Sequence, residues 1–258
     1  MRFYNNLRTA YIVIITSWRL NMSLIIVMGG LLASFLYALT QSDSISFLTR
    51  RSRCDSCSKN LKVTDLIPVV SYLKNYGRCS HCSNSISINY LLVEVVTIML
   101  FVLPLIIPLG YDNMLLYYLL VSILIPLSIY DFETLLIPTH MLMLLFVCGL
   151  YLTGLQYMDI RLDFLTVVVL HIFYVLFKDK IGYGDIQLFS VITMITPFDF
   201  FIFTFLFTYI IGGIAVIILD LFQTSRITKV PLVPFIAASL ITTFYMYADF
   251  IDIYYGGF

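Results

Sequence analysis

Long apolar runs, one after another and most of them near the length of a membrane crossing, constrain this chain more than any other feature. Eight can be marked, at 21–40, 91–109, 114–130, 140–158, 163–177, 185–198, 200–221 and 231–247. A helix needs ~20 apolar residues to cross a hydrocarbon core of ~30 Å. Hydrophobic residues make up 60% of the sequence, charged residues only 12%, and mean hydropathy is +0.96. A water-soluble core cannot hide that much apolar surface. The expected fold is therefore an all-α polytopic membrane protein with about eight transmembrane helices. The sixth run is short and reads as tilted, re-entrant or shielded by its neighbours. No repeat or low-complexity tract stands out.

The formal net charge is zero, but the cations are unevenly placed. Arg50, Arg51, Arg53, Lys59, Lys62, Lys74 and Arg78 fall between the first two runs, Lys178 and Lys180 precede the sixth, and Arg226 and Lys229 precede the eighth. Basic loops stay in the cytoplasm, so these three loops orient the chain. Only Arg161 is basic in the loops opposite. Arg2, Arg8 and Arg19 disagree, because they would lie outside if the first span begins near residue 21. Either translation starts at Met22 or the first residues form an interfacial helix. No small-residue cleavage site supports a removed signal peptide, and the first span is read as retained.

Residues 41–90 form the only sizeable water-soluble segment, and they hold four of the five cysteines. Cys54-Asp-Ser-Cys57 and Cys79-Ser-His-Cys82 are two Cys-x-x-Cys knuckles separated by residues 58–78. That pattern suits one tetrahedral zinc, and the reading is a small zinc-ribbon-like loop domain with a structural metal. Disulfides are the weaker alternative in a reducing cytoplasm. His81 could compete as a ligand, but four sulfurs suffice. Cys148, alone in the fourth run, reads as a packed thiol.

Asp131 ends the third run and Asp185 begins the sixth, inside Gly182-Tyr183-Gly184-Asp185. An ionisable group at membrane depth costs at least ~2.5–3.5 kcal/mol, which makes each a candidate functional residue. The competing reading is a helix end exposed to water. By the alternation of spans both acids face the cytoplasm and can meet. Gly182 and Gly184, lacking Cβ, would permit unusual backbone conformations and close approach of a substrate strand. Glu133 reads as a solvated interfacial side chain, and His140 and His171 as non-catalytic. Ser34 and Ser71 lack a base partner, which argues against serine hydrolysis.

The ordered set Cys54-Asp-Ser-Cys57, Asp65-Leu66-Ile67-Pro68, Ser71-Tyr72, Gly77-Arg78-Cys79-Ser-His-Cys82, Ile86-Ser87, Tyr90, Glu94, Asp131, Ile137-Pro138 and Gly182-Tyr183-Gly184-Asp185 resembles the type IV prepilin peptidases. The subgroup that processes competence pseudopilins is the most similar in style. The resemblance implies an integral membrane aspartic endopeptidase in the bacterial plasma membrane. It would cut the basic leader from prepilin or pseudopilin precursors at the cytoplasmic face, with Asp131 and Asp185 as the catalytic pair. It places Glu94 at a family position where packing or substrate orientation is as expected as catalysis. It further implies S-adenosylmethionine as a cofactor wherever the new N-terminus is methylated, although no nucleotide fingerprint is visible. The division it suggests is 1–40 (N-terminal segment and first span), 41–90 (four-cysteine loop) and 91–258 (membrane-embedded peptidase). Expected partners are the precursor peptides and the lipid bilayer, with no nucleic acid.

The chain departs from the family pattern at Gln187 for a common lysine, Ala33 and Val233 for common glycines, and Tyr37 for a common asparagine. Two readings from other classes compete with the peptidase. A zinc-knuckle membrane scaffold for pilus or secretion assembly would need the cysteines but not the acids. An ion-coupled transporter would use the acids to relay charge, though both lie near one face and no half-repeat symmetry is evident.

Overall fold

The computed structural model describes residues 22–42, 51–54, 56–154, 159–178, 181–222 and 230–256. Residues 1–21, on which the start-site reading bears, lie outside them, as do Arg50, Lys180, Arg226 and Lys229.

Every expected apolar run contains a helix. In chain order these are α1 (Met22–Thr40), a 3-10 turn (Val63–Leu66), the short α2 (Val70–Lys74), α3 (Ile88–Ile106), α4 (Met114–Thr134), α5 (Thr139–Thr153), α6 (Ile160–Phe177), α7 (Tyr183–Ile195), α8 (Phe198–Phe222) and α9 (Val233–Tyr255). The described residues contain no strand, only two isolated bridges. Six of these helices are long and apolar enough to cross a membrane, while α5 and α7 are shorter, at 15 and 13 residues. The shortfall has local causes. α5 ends at Gly154, whose φ of 62° leaves the helical region, and α7 ends at Thr196, held extended (φ −129°, ψ 157°) by the proline that follows.

The chain divides into two compact units. One comprises α1 up to Phe35 together with the four-cysteine segment and α3. The other comprises Leu36–Asp43 and everything from Ile107 onward.

In the second unit α4 is the core. Residues 120–128 are all buried, whatever side of the helix they occupy, as expected of a helix apolar all round. α9 and α5 pack on it, α7 packs on α5, α6 and α8, and α8 lies along α9. Apolar side chains gain little from leaving lipid, so close packing and hydrogen bonds must hold such helices together. Between α8 and α9 the Thr208 and Ser239 hydroxyls lie 2.7 Å apart, and Thr204 Oγ1 donates to Thr243 Oγ1 at 3.4 Å. The Phe200 and Phe244 rings meet edge to face at 4.9 Å on the same seam. At Gly149 a Cβ would stand 2.8 Å from Ile195 Cγ2, so glycine is what lets α5 approach α7 this closely.

In the first unit α1 and α3 meet at Gly29, where a Cβ would stand 3.0 Å from Phe101 Cδ1. The segment between these helices folds around the cysteines.

Candidate active site and cysteine cluster

Asp131 lies near the C-terminal end of α4 and is 4% exposed. Its Oδ2 accepts the Val233 N–H at 3.1 Å, and the Leu232 amide is also directed at the carboxylate. These amides open α9, and the first N–H groups of any helix have no partner within it. A carboxylate from α4 thus caps the start of α9, where the helix dipole also favours negative charge. Pro234, second in α9, has no N–H to satisfy. At the end of α4, Leu135 takes a left-handed conformation (φ 55°, ψ 32°) and returns its N–H to the Asp131 carbonyl at 2.8 Å.

Asp185 is the third residue of α7, and its carboxylate accepts the N–H of Gly182, the residue that caps that helix. This is one half of a capping box. A Cβ on Gly182 would stand 2.8 Å from Asp185 Oδ2, and one on Gly184 would stand 3.0 Å from Ile137 Cβ. At both positions any side chain would press on a neighbour. Conformational freedom, the reason the sequence suggested, is not the cause: Gly182 has φ −69° and Gly184 is helical. Ile137-Pro138 precedes α5, with Pro138 as its cap, so close contacts lock the glycine turn against that motif.

The two acids are close enough for the charge on Asp131 to act on Asp185. Asp185 in turn acts on the Tyr209 phenol of α8, whose ring packs on Phe205 at 5.0 Å. Nothing in an unbroken apolar run marked Tyr209. The glycine-turn Tyr183 packs its ring against Tyr174 (5.0 Å) and His171 (5.9 Å) of α6. The other polar candidates have separate engagements. His171 Nδ1 is 2.8 Å from the Val167 carbonyl, and His140 Nε2 is 3.0 Å from that of Leu39. Glu133 accepts the Tyr37 hydroxyl at 3.4 Å.

Glu94 belongs to the first unit. It is 6% exposed, and Oε2 accepts the Val69 N–H at 2.7 Å, with Ser34 as a further donor.

The sulfurs of Cys54, Cys57, Cys79 and Cys82 all lie within 4.8 Å of one another, with Cys54 and Cys82 at 3.9 Å. All four are thiols. Around a tetrahedral zinc with Zn–S of ~2.3 Å the sulfurs would stand ~3.8 Å apart, so the donor set and its spacing fit a metal such as zinc. The knuckles are built alike. The Cys54 and Cys79 amides reach the Lys59 and Asn84 carbonyls at 3.0 and 2.9 Å. Ser58 and Ser83, both left-handed (φ 55° and 58°), return their N–H groups to the Cys54 and Cys79 carbonyls at 2.8 and 3.0 Å. The bridges Arg53–Asn60 and Arg78–Ser85 close the two turns in the same way. This is an internal duplication, matched in the sequence by Arg-Cys-x-x-Cys-Ser at 53–58 and 78–83. The amides of Cys82 and His81 hold the Cys79 thiol down at about 7. The Cys82 thiol is drawn down by the Asn84 amide, yet desolvation and the neighbouring thiols push it up to about 11. Once one sulfur ionises its neighbours resist, and a shared cation would relieve that conflict.

The fold and these sites define a helical membrane protein with a carboxylate pair at helix ends and a four-thiol pocket suited to a metal. Residues 27–107 match the bacterial Peptidase A24 N-terminal domain, and residues 118–218 match the type IV leader peptidase family. The chain belongs to that family, the prepilin peptidases. No curated protein and no solved structure matches it.

Proposed function

We propose that the protein is an aspartic endopeptidase that removes the basic leader of prepilin or competence pseudopilin precursors at the cytoplasmic face of the bacterial plasma membrane, with Asp131 and Asp185 as the reacting pair. The observation that carries this reading is that two acids at the ends of separate helices lie within electrostatic reach, each fixed by main-chain N–H groups. Two carboxyls so placed share one proton. The ionised member takes a proton from a water as it attacks the scissile carbonyl carbon, while the protonated member hydrogen-bonds the developing oxyanion. Collapse breaks the C–N bond, and a carboxyl proton passes to the leaving amine. The two acids act as a unit, so neither has a role of its own. Residues 91–258 would form the peptidase portion, with Gly182 and Gly184 keeping the Asp185 turn compact.

Zinc held by Cys54, Cys57, Cys79 and Cys82 would be structural, since four thiolates leave no coordination position for water. Methylation by S-adenosylmethionine rests on the family resemblance, and intact mass decides it: a methylated product, with an amine hydrogen replaced by a methyl, is heavier than the cleaved one by the mass of one CH2.

The deciding experiment is cleavage of a candidate prepilin in detergent by wild type, Asp131→Asn and Asp185→Asn. Both variants should express normally and cleave nothing. Retained cleavage by either would remove the pair from the chemistry and favour a scaffold.

A further inference from the structure

Between the cysteine knuckles, residues 62–76 sort their side chains by face. The polar set turns toward the knuckles. Asp65 accepts Ser80 Oγ at 2.8 Å and Asn75 Nδ2 at 3.3 Å, and the Tyr72 hydroxyl reaches the Ile86 carbonyl at 3.4 Å. The apolar set, Val63, Leu66, Ile67, Val70, Leu73 and Tyr76, recurs every three or four residues and is 39–90% exposed. Exposed apolar side chains gathered in so short a segment mark a contact surface.

Two contacts show how far this segment reaches along the spans of its own unit. A Cβ on Gly30 would stand 2.8 Å from Pro68 Cβ, so Pro68 sits against α1, at the level where Ile98 Cδ1 of α3 also approaches Gly30 (3.2 Å). Gly30 is ten residues from the loop end of α1, and Ile98 is ten residues from the loop end of α3. At 1.5 Å per residue both lie ~15 Å along 19-residue helices. Irregular backbone at that depth must find its hydrogen bonds within protein, and the Val69 N–H does so at the buried Glu94 carboxylate, 2.7 Å away. Val69 itself is strained, with φ 63° and ψ −51°, an outlier for a β-branched residue. Pro68 on one side and Glu94 on the other hold the turn there.

We propose that residues 62–74 form a wedge that enters the bilayer leaflet beside α1 and α3, with lipid acyl chains covering its apolar face. Continuity with the lipid-exposed surfaces of those two spans argues for lipid as the occupant. Lys62 and Lys74, both exposed, bracket the wedge where ammonium groups can reach headgroup phosphates. The inference needs only that α1 and α3 cross the bilayer, so it stands whether or not the aspartates cleave peptides.

The test uses the full chain in a Trp18→Phe background, which removes the single native tryptophan, and places one tryptophan at Leu73→Trp, Val63→Trp or, as a knuckle control, Lys59→Trp. Each variant is reconstituted into phosphatidylcholine–phosphatidylglycerol vesicles with or without brominated acyl chains. Brominated lipid should abolish most of the emission at positions 73 and 63 while aqueous iodide leaves it, and position 59 should show the reverse. Iodide quenching at 73 and 63 would overturn the wedge. Insensitivity to both quenchers would also overturn it, because the face would then be covered by protein, whether a second copy or another part of this chain. Val63→Trp, outside α2, keeps the outcome decisive where the larger side chain at 73 disrupts that helix.

Discussion

The carboxylate pair and the cysteine cluster reach order by opposite routes. Each knuckle closes within eight residues through its own amides and a bridge, yet the segment buries little beyond Cys79 and Gly77. It has local geometry without a core. The carboxylates have the core and almost no local geometry: Asp131 is oriented by an amide 102 residues away, at the end of a helix buried on every side. Local turns can therefore be written into a short sequence, but a segment so poor in apolar burial must draw its stability from elsewhere, and the four-thiol pocket suits a metal that would supply it. A site assembled by packing needs no metal but depends on the whole bundle.

Withholding metal should separate the two most sharply. Binding by a structural zinc site is worth ~10–16 kcal/mol in apparent terms, and in small domains that is folding free energy. Chelation, or Cys79→Ser, should raise amide hydrogen exchange across residues 51–87 and leave α4 and α9 protected. Unchanged exchange at the knuckles would show that the turns hold without metal.

The carboxylate site should break through volume. In Gly182→Ala the new methyl would stand 2.8 Å from Asp185 Oδ2, so the carboxylate must shift, and a reacting group displaced by ~1 Å loses ~100-fold in rate. The expected result is a cleavage rate lower by about that factor with little change in melting temperature. Gly184→Val overpacks Ile137, and buried overpacking costs ~1–3 kcal/mol. Ile137→Ala should restore part of that loss, and a double variant no better than the single one would remove the contact from the explanation.

What could be read beforehand follows the same division. The apolar runs located the helices because burial in lipid demands near-continuous hydrophobicity, and Cys-x-x-Cys twice located the cluster. The duplication of the knuckles is legible as Arg-Cys-x-x-Cys-Ser at 53–58 and again at 78–83, although its physical content lies in main-chain hydrogen bonds. The shortness of α7 was expected from its run, but that of α5 depended on Gly154. The contact between Asp131 and α9 was invisible because its donor is an amide that any residue but proline supplies. That is also why Val233 can stand where the family has glycine: its side chain is fully buried while its N–H makes the bond. Glu94, noted only as a family position, is the acceptor that holds the Val69 turn.

A smaller effect probes the end of α4. Leu135 pays for its left-handed cap with steric strain, and glycine there should stabilise the second unit by ~1 kcal/mol. Its side chain is 46% exposed, so little packing is lost. A lower melting temperature for Leu135→Gly would mean that this side chain makes a contact worth more than the strain.

The smallest effect tests whether the clasp between residues 62–76 and the second knuckle is electrostatic or metal-linked. Hydrogen bonds from Ser80 first, then Asn75 and the Lys62 amide, hold the Asp65 carboxyl below its usual range. A depressed carboxyl stabilises the fold fully above its unfolded value of ~3.9 and loses that contribution as pH falls through the lower folded value. The group is close to solvent, so Asp65→Asn should cost under ~1 kcal/mol. Because both values lie below ~4, the gap in stability between wild type and Asp65→Asn should stay flat from about pH 5 to about pH 8, while metal affinity changes strongly over that interval as thiols titrate. Melting curves of both proteins across it, with bound zinc measured in parallel, separate the two. A gap that closes in step with metal release would tie Asp65 to the cysteine cluster's protonation and end the reading of an independent clasp.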